Sequence, residues 1–501
     1  MRHHSVWTAT ADLPSFPALD DDIGADLVVV GGGIVGLTTA LLATQAGLSR
    51  VVVLEARTLG SGTTGSTTGK VSTQHGLTYA SLRRRLGDEA ATWYAAANQA
   101  GMDKVVDLVE EFGIECDLTR APSYLYTQES SRRKDLVAEA EAANQAGLAA
   151  EVVTETDLPY AVASAVRFPD QVHFHPAKYL AGLANAFVAA GGLIYENSRV
   201  VRYHERSGRV HVRTARGTIR AQNALLATLL PPGLTGGFFA RAKPVRSYAF
   251  AVRLREQAPV SMSLSIDQPT RSIRPWLAPD GGNGLIIGGN GHQTGDSTDY
   301  AAAYEDLQRW AENTFDVDSC EFRWSAQDYQ TFDQVPYVGR VPLHKSLYVA
   351  TGFRKWGLSN GTAAALMVLD EMLGRSNPWQ KVFDTGRIGD TRAVVQAAEH
   401  NLKSGVELTG GHLMRALRSP DPELKPGEGG IVKLKGDTVG AYRDPDGRLH
   451  VVKPTCTHLG CPLTWNGAET SWDCSCHGSR FTADGDILEG PAKTPLSRPH
   501  D

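Results

Sequence analysis

The sequence predicts an α/β protein whose main body mixes helices with strands and whose last part is a separate all-β unit. Three observations predict this fold class. Near the N-terminus, a short apolar strand, a glycine-rich turn and a helix follow one another within residues 26–47. Several strand-like runs separated by glycine turns lie in the middle of the chain. Near the C-terminus, two predicted strands at 431–443 and 449–452 flank a turn. Four of the 6 cysteines follow them within residues 456–476, a density that indicates a metal or catalytic centre in a reducing compartment.

Length and composition exclude several classes of protein. With 501 residues, of which 42% are hydrophobic, and a formal charge of −5, the chain can form a large core and is not intrinsically disordered. Its 50 basic and 55 acidic residues argue against a nucleic-acid partner, which needs a basic surface. No apolar run reaches the roughly 18 residues of a transmembrane segment, and the first residues lack a signal-peptide layout. We therefore expect a soluble, cytoplasmic protein.

The N-terminal pattern predicts a Rossmann-like dinucleotide-binding fold. Residues 26–30 form an apolar run typical of a buried parallel strand. Gly31, Gly33 and Gly36 follow it in the spacing G-x-G-x-x-G, which supplies a tight turn, a close approach to a pyrophosphate and close helix packing. A second apolar run ends at Glu55, whose carboxylate can accept hydrogen bonds from a ribose. A glycine-rich loop in an α/β domain without a nucleotide is the alternative.

Three further segments carry a resemblance to a known family. Residues 54–57, the glycine- and hydroxyl-rich residues 60–70, and residues 348–361 follow one another along the chain in the family's order. They resemble the strand-end acid, the second flavin loop and the closing flavin motif of the D-amino-acid-oxidase-like FAD oxidoreductases. The resemblance covers residues 24–385 and implies FAD as the cofactor. It also implies further cofactor-binding residues besides the glycines and the acid already named. These are Arg57, Thr64, Val200, Gly352, Gly357 and Asn360.

The same resemblance implies how the main body is divided. It predicts FAD-binding parts at about 24–80, 190–235 and 335–385. A substrate domain with a mixed sheet, at about 80–190 and 236–335, is interleaved with them. Apolar spacing predicts helices around 88–112 and 132–147. In the closing motif, a helix that begins around Asn360 or Gly361 would stabilise negative charge on a reduced flavin.

A flavin enzyme needs little acid–base chemistry from its protein, because the cofactor accepts the hydride. Useful side chains are aromatic rings that line the pocket and a cation that holds a carboxylate. Arg274, His292 and Trp356 are the candidate catalytic residues on this basis. Further candidates are Tyr248, Arg271, Trp276, Tyr329 and Tyr337. For each of them, a packed aromatic ring or a solvated arginine is the alternative interpretation.

Two short motifs near the C-terminus combine cysteine with histidine. Cys456 and His458 form a C-x-H motif, and Cys474 and His477 form a C-x-x-H motif. Two cysteines on one iron and two histidines on the other are the ligands of a Rieske [2Fe–2S] cluster. A structural zinc site is the alternative, but the single residue between Cys456 and His458 differs from the roughly two to four of a zinc knuckle.

Residues 427–501 resemble the Rieske domain of cytochrome bc-type proteins. This resemblance implies a disulfide between Cys461 and Cys476, which would join the two cluster loops, and a proline loop at residues 490–492. Residues 386–426 are expected to be a connector. Within it, residues 391–400 can be helical, whereas residues 419–430 are too rich in proline and glycine for regular structure.

One position departs from the high-potential members of the Rieske family. Phe481 stands where those proteins have a tyrosine, so a hydroxyl donor to the cluster region is missing. Because such donors stabilise the reduced cluster, we expect Phe481→Tyr to raise the midpoint potential. Protein-film voltammetry of the two proteins measures the change, and an unchanged or lower potential would refute the argument.

The two resemblances together imply an FAD-dependent oxidoreductase that oxidises a small amine or amino acid. Electrons would pass from the flavin through the Rieske cluster to an external acceptor, either a carrier protein or a quinone. A dehydrogenase is favoured over an H2O2-producing oxidase because the cluster accepts one electron at a time. An electron-transfer adaptor with no small-molecule substrate is the alternative. A Rieske oxygenase is not favoured, since no histidine pair with a nearby carboxylate suggests its mononuclear iron site.

Overall fold

The computed structural model of the chain describes residues 4–296, 298–416, 424–434 and 436–498. Residues 417–423 of the predicted connector lie outside them. The helices of the described residues are α1 (Val6–Thr10), α2 (Ile34–Gln45), α3 (Thr78–Leu86), α4 (Asp88–Phe112), α5 (Arg133–Gln145), α6 (Pro176–Ala189), α7 (Tyr300–Thr314), α8 (Gly357–Met372), α9 (Gln380–Phe383) and α10 (Thr391–Ala416). The strands of the main body are β1 (Ile23–Val30), β2 (Val51–Leu54), β3 (Lys70–Val71), β4 (Thr119–Thr127), β5 (Glu151–Val153), β6 (Ser164–His173), β7 (Leu193–Tyr195), β8 (Arg202–Arg206), β9 (Arg209–Arg213), β10 (Thr218–Leu226), β11 (Ala242–Leu254), β12 (Met262–Ser265), β13 (Arg271–Leu277), β14 (Asn283–Gln293), β15 (Val317–Thr331), β16 (Tyr337–Arg340) and β17 (Leu347–Thr351).

The first sheet contains the predicted nucleotide-binding pattern. Its strands lie in the order β16–β17–β10–β1–β2–β7, and β9 and β8 extend it from the first half of β10. β1 pairs in parallel with both β2 and β10. The second half of β1 and all of β2 are buried, as expected for parallel strands covered on both faces. β1 is therefore a central strand of the sheet, and α2 begins just beyond its carboxyl end.

The second sheet is mixed, as predicted. Its strands lie in the order β15–β11–β14–β13–β12–β4–β6–β3, with β5 beside β6. β12 and β4 run parallel, whereas the long strands β11 and β15 pair antiparallel along almost their whole lengths. The α/β fold class with an interleaved mixed sheet is confirmed.

The two helices predicted within the substrate domain match their predicted positions. α4 spans the predicted residues 88–112, and α5 ends two residues before its predicted end. α4 crosses α8 closely at Gly101, where a Cβ atom would lie 2.3 Å from the carbonyl oxygen of Ser359. The glycine therefore permits a helix contact that the apolar spacing alone does not reveal.

The C-terminal unit consists of two small antiparallel sheets. One contains β18 (Gly429–Leu434), β19 (Asp437–Arg443) and β20 (Leu449–Val452), and the other contains β21 (Leu463–Asn466), β22 (Ser471–Cys474), β23 (Arg480–Thr482) and β24 (Ile487–Glu489). The all-β prediction is confirmed. The predicted strand 431–443 is wrong in one respect, because Gly436, with φ of +92°, is part of a turn that divides it into β18 and β19.

Most of the predicted connector is the helix α10. It continues well past the predicted residues 391–400, to Ala416. Ala393, His400 and Ser404 of this helix are buried, so packing against the rest of the chain stabilises the helix. The domain boundaries themselves stay predictions.

Candidate functional site

A cavity of about 830 Å³ is lined by residues from both main sheets, a size within the roughly 300–1,000 Å³ typical of small-molecule and cofactor sites. The predicted cofactor-binding residues that line it are Gly31, Gly33, Glu55, Arg57, Thr64, Val200 and Gly357. Those absent from its lining are Gly36, Gly352 and Asn360. The structure therefore brings most of the predicted set to one place.

The glycine turn after β1 has two positions that no larger residue fits. Gly31 has φ of +114°, and a Cβ atom there would lie 2.4 Å from the carbonyl oxygen of Ala227. A Cβ atom on Gly36 would lie only 1.9 Å from the carbonyl oxygen of Gly31. Gly33 is the N-cap of α2. Together these residues present the N-terminus of α2 to the cavity, an arrangement suited to a pyrophosphate.

The strand-end acid and the hydroxyl-rich loop are tied to this turn. The Glu55 carboxylate accepts hydrogen bonds from the backbone N–H groups of Gly32 and Arg57, both at 2.9 Å. The Thr64 hydroxyl accepts one from the backbone N–H of Ile34 at 3.2 Å. Segments predicted to bind the same cofactor therefore form one continuous side of the cavity.

A strained turn, Gly352–Trp356, precedes α8. Arg354 and Lys355 within it have φ of +54° and +73°, which is costly for residues with a side chain. Buried Asp328 compensates by accepting a hydrogen bond from the backbone N–H of Lys355. Burial also raises the pKa of Asp328 to about 6.

The start of α8 differs from its prediction. The helix begins at Gly357, with Trp356 as its N-cap, and not at Asn360 or Gly361. The glycine at 361 serves packing instead, because a Cβ atom there would lie 2.9 Å from Val35 Cγ2 of α2. Asn360 is buried in the first turn, where its amide donates to the Trp356 carbonyl at 3.3 Å.

Two predicted catalytic residues lie at the cavity. His292 Nε2 is 2.8 Å from the Tyr248 hydroxyl, and the two rings stack. The Trp356 ring stacks on His75 with 4.6 Å between centroids. Burial lowers the pKa of His75 to about 3, so this imidazole is neutral. All four side chains line the cavity.

Arg274, the third predicted catalytic residue, is absent from the cavity lining. Its buried guanidinium donates to the carbonyls of Phe174 at 3.0 Å and Gly69 at 3.3 Å. These bonds connect β13 to the residues just before β3 and just after β6. Because the guanidinium is engaged within the protein and lies outside the cavity lining, its position does not favour a carboxylate-binding role. Of the further candidates, Tyr248 and Tyr329 line the cavity, whereas Arg271, Trp276 and Tyr337 do not.

Two lysines that the sequence interpretation missed line the cavity. Lys70 Nζ donates to the Ser263 carbonyl at 2.9 Å, and burial lowers the pKa of Lys70 to about 7. Lys355 Nζ donates to the Ser247 hydroxyl at 2.6 Å, and burial lowers its pKa to about 8. Lys70 lies in the flavin motif at 60–70 and Lys355 in the one at 348–361. Their place within these motifs was the feature of the sequence that could have identified them as cavity residues.

The four predicted cluster ligands come together at one end of the C-terminal unit. Cys456 and Cys474 are free, buried cysteines, and a hydrogen bond between their thiols lowers the pKa of Cys456. The rings of His458 and His477 lie 5.1 Å apart. His458 Nδ1 is buried and has no hydrogen-bond partner among the described residues. A free imidazole nitrogen on the first loop and a hydrogen-bonded thiol pair that joins the two loops fit a cluster with one cysteine-bound and one histidine-bound iron.

Burial favours the neutral form of both histidines, which is the form that binds iron. It lowers the pKa of His477 to about 3 and also lowers the pKa of His458. The predicted disulfide between Cys461 and Cys476 is present. The sulfur atoms of this pair and of Cys474 lie within 4.8 Å of one another, so the disulfide closes directly over the ligand site.

A dinucleotide cavity between two sheets, beside a two-loop cysteine–histidine site, defines a class of flavoprotein with an iron–sulfur domain. The FAD dependent oxidoreductase family matches residues 26–371, and the Rieske [2Fe-2S] domain matches residues 417–499. The chain belongs to the FAD-dependent oxidoreductase family and carries a C-terminal Rieske [2Fe–2S] domain. Its cofactors are FAD and a [2Fe–2S] cluster.

Individual relatives share this architecture or its larger part. The chain is 35% identical over 499 residues to the Rieske 2Fe-2S iron-sulfur protein YhfW of Bacillus subtilis, and the match covers 99% of this chain and 97% of that protein. Glycine oxidase from Geobacillus kaustophilus has a similar fold, with a TM-score of 0.62 and 22% identity over 73% of this chain and 99% of its own. L-proline dehydrogenase from P. horikoshii gives a TM-score of 0.60 and 19% identity over 73% and 97% of the two chains.

No helix in the described part of the chain combines the length and the apolar character needed to cross a bilayer. The cytoplasmic location stays a prediction.

Proposed function

We propose that this protein oxidises the C–N bond of a small amine or amino acid with FAD. Electrons then pass through the Rieske cluster to an external acceptor. The observation that carries the proposal is that residues of the Rieske domain line the proposed FAD cavity. Residues 488–490 of the Rieske domain line the same cavity as the glycine turn of the FAD-binding part. The Rieske domain therefore contributes part of the wall of the cavity in which we place FAD, which supports electron transfer between the two within one chain.

In this proposal the N-terminus of α2 holds the FAD pyrophosphate and Glu55 holds the ribose. The N-terminus of α8 at Gly357 stabilises negative charge on the reduced flavin. Cys456 and Cys474 bind one iron of the cluster, and His458 and His477 bind the other. FAD supplies hydride acceptance when bound, so the protein's task is to position the donor carbon.

The substrate side of the cavity offers aromatic rings and cations. Trp356, His292 and Tyr248 provide rings that position a small substrate, and Lys355 and Lys70 can meet a carboxylate. In this proposal Lys355 and Lys70 take the carboxylate-binding role that the sequence suggested for Arg274. The amine class is supported by the two proteins of similar fold, which are a glycine oxidase and a proline dehydrogenase.

Anaerobic mixing with a panel of amines and amino acids tests the proposal. We expect at least one of them to bleach the flavin absorbance and to generate the electron paramagnetic resonance (EPR) signal of a reduced Rieske cluster. Matched carboxylic acids without the amine are the control and should leave both signals unchanged. Flavin reduced by an external reductase but by no amine would support the adaptor alternative instead.

Oxygen consumption separates a dehydrogenase from an oxidase. We expect slow oxygen reduction and faster turnover with an added one-electron acceptor. Stoichiometric oxygen consumption that persists after the cluster ligands are removed would show that the cluster is not on the main electron path.

A further inference from the structure

Two side chains of β15 join the cavity to the second cluster loop, residues 474–479. The Tyr329 hydroxyl donates to the carbonyl of His477 at 2.9 Å, and Gln327 Nε2 donates to the carbonyl of Gly478 at 2.8 Å. Both side chains also line the cavity and are buried. Because residues two apart on a strand point to the same face, one row of side chains contacts both sites.

A third side chain and two glycines also connect the second cluster loop to the second sheet. Gln293 Nε2 of β14 lines the cavity and donates to the carbonyl of Ser475 at 2.9 Å. A Cβ atom on Gly295 would lie 2.5 Å from the backbone nitrogen of Ser475, and one on Gly478 would lie 2.5 Å from Pro244 Cβ. The loop backbone therefore packs directly on the second sheet.

The histidine edge of the cluster site, formed by His458 and His477, faces residues 233–239 of the main body. The Phe239 ring packs edge-on against both imidazoles at 5.1 and 5.0 Å. His458 Nε2 lies 3.2 Å from the carbonyl oxygen of Gly233 and donates to it. Leu230, on the loop that leads to Gly233, lines the cavity. Both cluster loops thus contact elements that form the cavity.

A buried ionic network fixes this position. The Glu469 carboxylate of the Rieske domain pairs with Arg246 of β11 and, at 2.7 Å, with Arg480. It also accepts a hydrogen bond from the Ser325 hydroxyl of β15. Moving the Rieske domain away would leave Arg246, which is only 2% exposed, without its carboxylate. Such uncompensated buried charges are strongly unfavourable.

We propose that this contact is a fixed electron-transfer junction, in which Gln293, Gln327 and Tyr329 position the second cluster loop behind the cavity. Electrons pass between FAD and the cluster within one chain and without movement of the Rieske domain. The three residues are positioning residues, since they act through the loop backbone. The inference rests on the proposed function for the source of the electrons.

The electron balance needs no additional reactant. Oxidation of an amine to an imine releases two electrons and two protons from its C–H and N–H bonds. The cluster takes one electron at a time, so each turnover uses the junction twice and delivers two single electrons to the external acceptor. The protons go to solvent.

Light-driven reduction tests the junction without any amine substrate. A laser flash with a sacrificial donor reduces FAD in the full-length protein, and absorbance then follows electron arrival at the cluster. We expect a rate constant that is independent of protein concentration and of added sucrose, because no collision or domain movement is required. A rate that rises in proportion to protein concentration, or falls in proportion to viscosity, would overturn the proposal.

Tyr329→Phe removes the bond to the His477 carbonyl and keeps the ring. We expect it to slow electron arrival about tenfold, which is less than the roughly hundredfold that a misplacement of about an ångström can cost reacting groups. Iron content and the EPR spectrum of the dithionite-reduced cluster should stay unchanged, which separates loss of positioning from loss of the cluster. Gln327→Leu provides a second test at the neighbouring bond.

Tyr126→Phe is the matched control. Tyr126 is a buried tyrosine of the same sheet, its hydroxyl lies 2.6 Å from that of Tyr160, and it is absent from the cavity lining. Equal rates in the control and in both junction variants would refute the positioning role. Fast light-driven transfer in a protein that no amine reduces would refute the proposed function and leave the junction standing.

Discussion

Cys474→Ser is expected to yield a protein that binds FAD and lacks the iron–sulfur cluster. Cys474 lies at the end of β22, is buried, and shares a thiol hydrogen bond with Cys456. Serine is a poor iron ligand compared with a thiolate, and the remaining three ligands leave one iron incompletely bound. Iron and acid-labile sulfide should fall to a small fraction of the wild-type content, and the Rieske EPR signal should disappear.

The flavin absorbance provides the internal reference for this variant. Because the cavity residues that hold FAD belong to other elements, the ratio of FAD to protein should stay unchanged. Cys320→Ser is the matched control, since Cys320 is a free cysteine on β15, remote in sequence from the two cluster loops. Full iron and sulfide in Cys474→Ser, or zinc in the wild-type protein, would contradict the ligand assignment.

Gly36→Ala is expected to remove most of the bound FAD. The added Cβ atom would lie 1.9 Å from the carbonyl oxygen of Gly31, so α2 has to move away from the turn that receives the pyrophosphate. Neither atom belongs to a flexible side chain that can yield. We expect a loss of unfolding free energy of about 3 kcal/mol, at the upper end of the usual cost of overpacking.

FAD content per protein and urea unfolding measure the two effects separately. Gly430→Ala is the control, because a Cβ atom on Gly430 of β18 would meet no atom within 4 Å. If Gly36→Ala retains stoichiometric FAD, the close approach of α2 to the turn is not required for binding. Loss of FAD from both variants would point to a general weakening of the fold.

Most of the predicted site residues that the structure brings together belong to short stretches of sequence. The glycine spacing at Gly31, Gly33 and Gly36 determines a local turn, and the two cysteine–histidine motifs need only their own loops. Seven of the ten predicted cofactor-binding residues line the cavity, and six of these seven, all except Val200, belong to such local motifs. The apolar spacing of α4 likewise required no knowledge of its partner.

The arrangements that the sequence did not reveal depend on contacts between distant segments. Residue type suggested Arg274 as a carboxylate ligand, but its Nη1 donates to the carbonyls of Gly69 and Phe174, and its Nε donates to the carbonyl of Pro275. The glycine at 361 suggested a helix start, although it serves the crossing of α8 and α2. Tyr329 was expected to line the cavity, yet its bond to a loop almost 150 residues later left no trace in the sequence.

The enclosed position of the cluster ligands constrains how the protein matures. Cys456, Cys474 and His477 are all buried, and Phe239 and Gly233 cover the histidine edge. A scaffold protein that delivers iron and sulfide needs direct access to these ligands. Cluster delivery must therefore precede closure of the Rieske domain onto the FAD-binding part, or the closed form must reopen. A chain that closes while still empty therefore has to reopen its contact with Phe239 and Gly233 before it can receive a cluster.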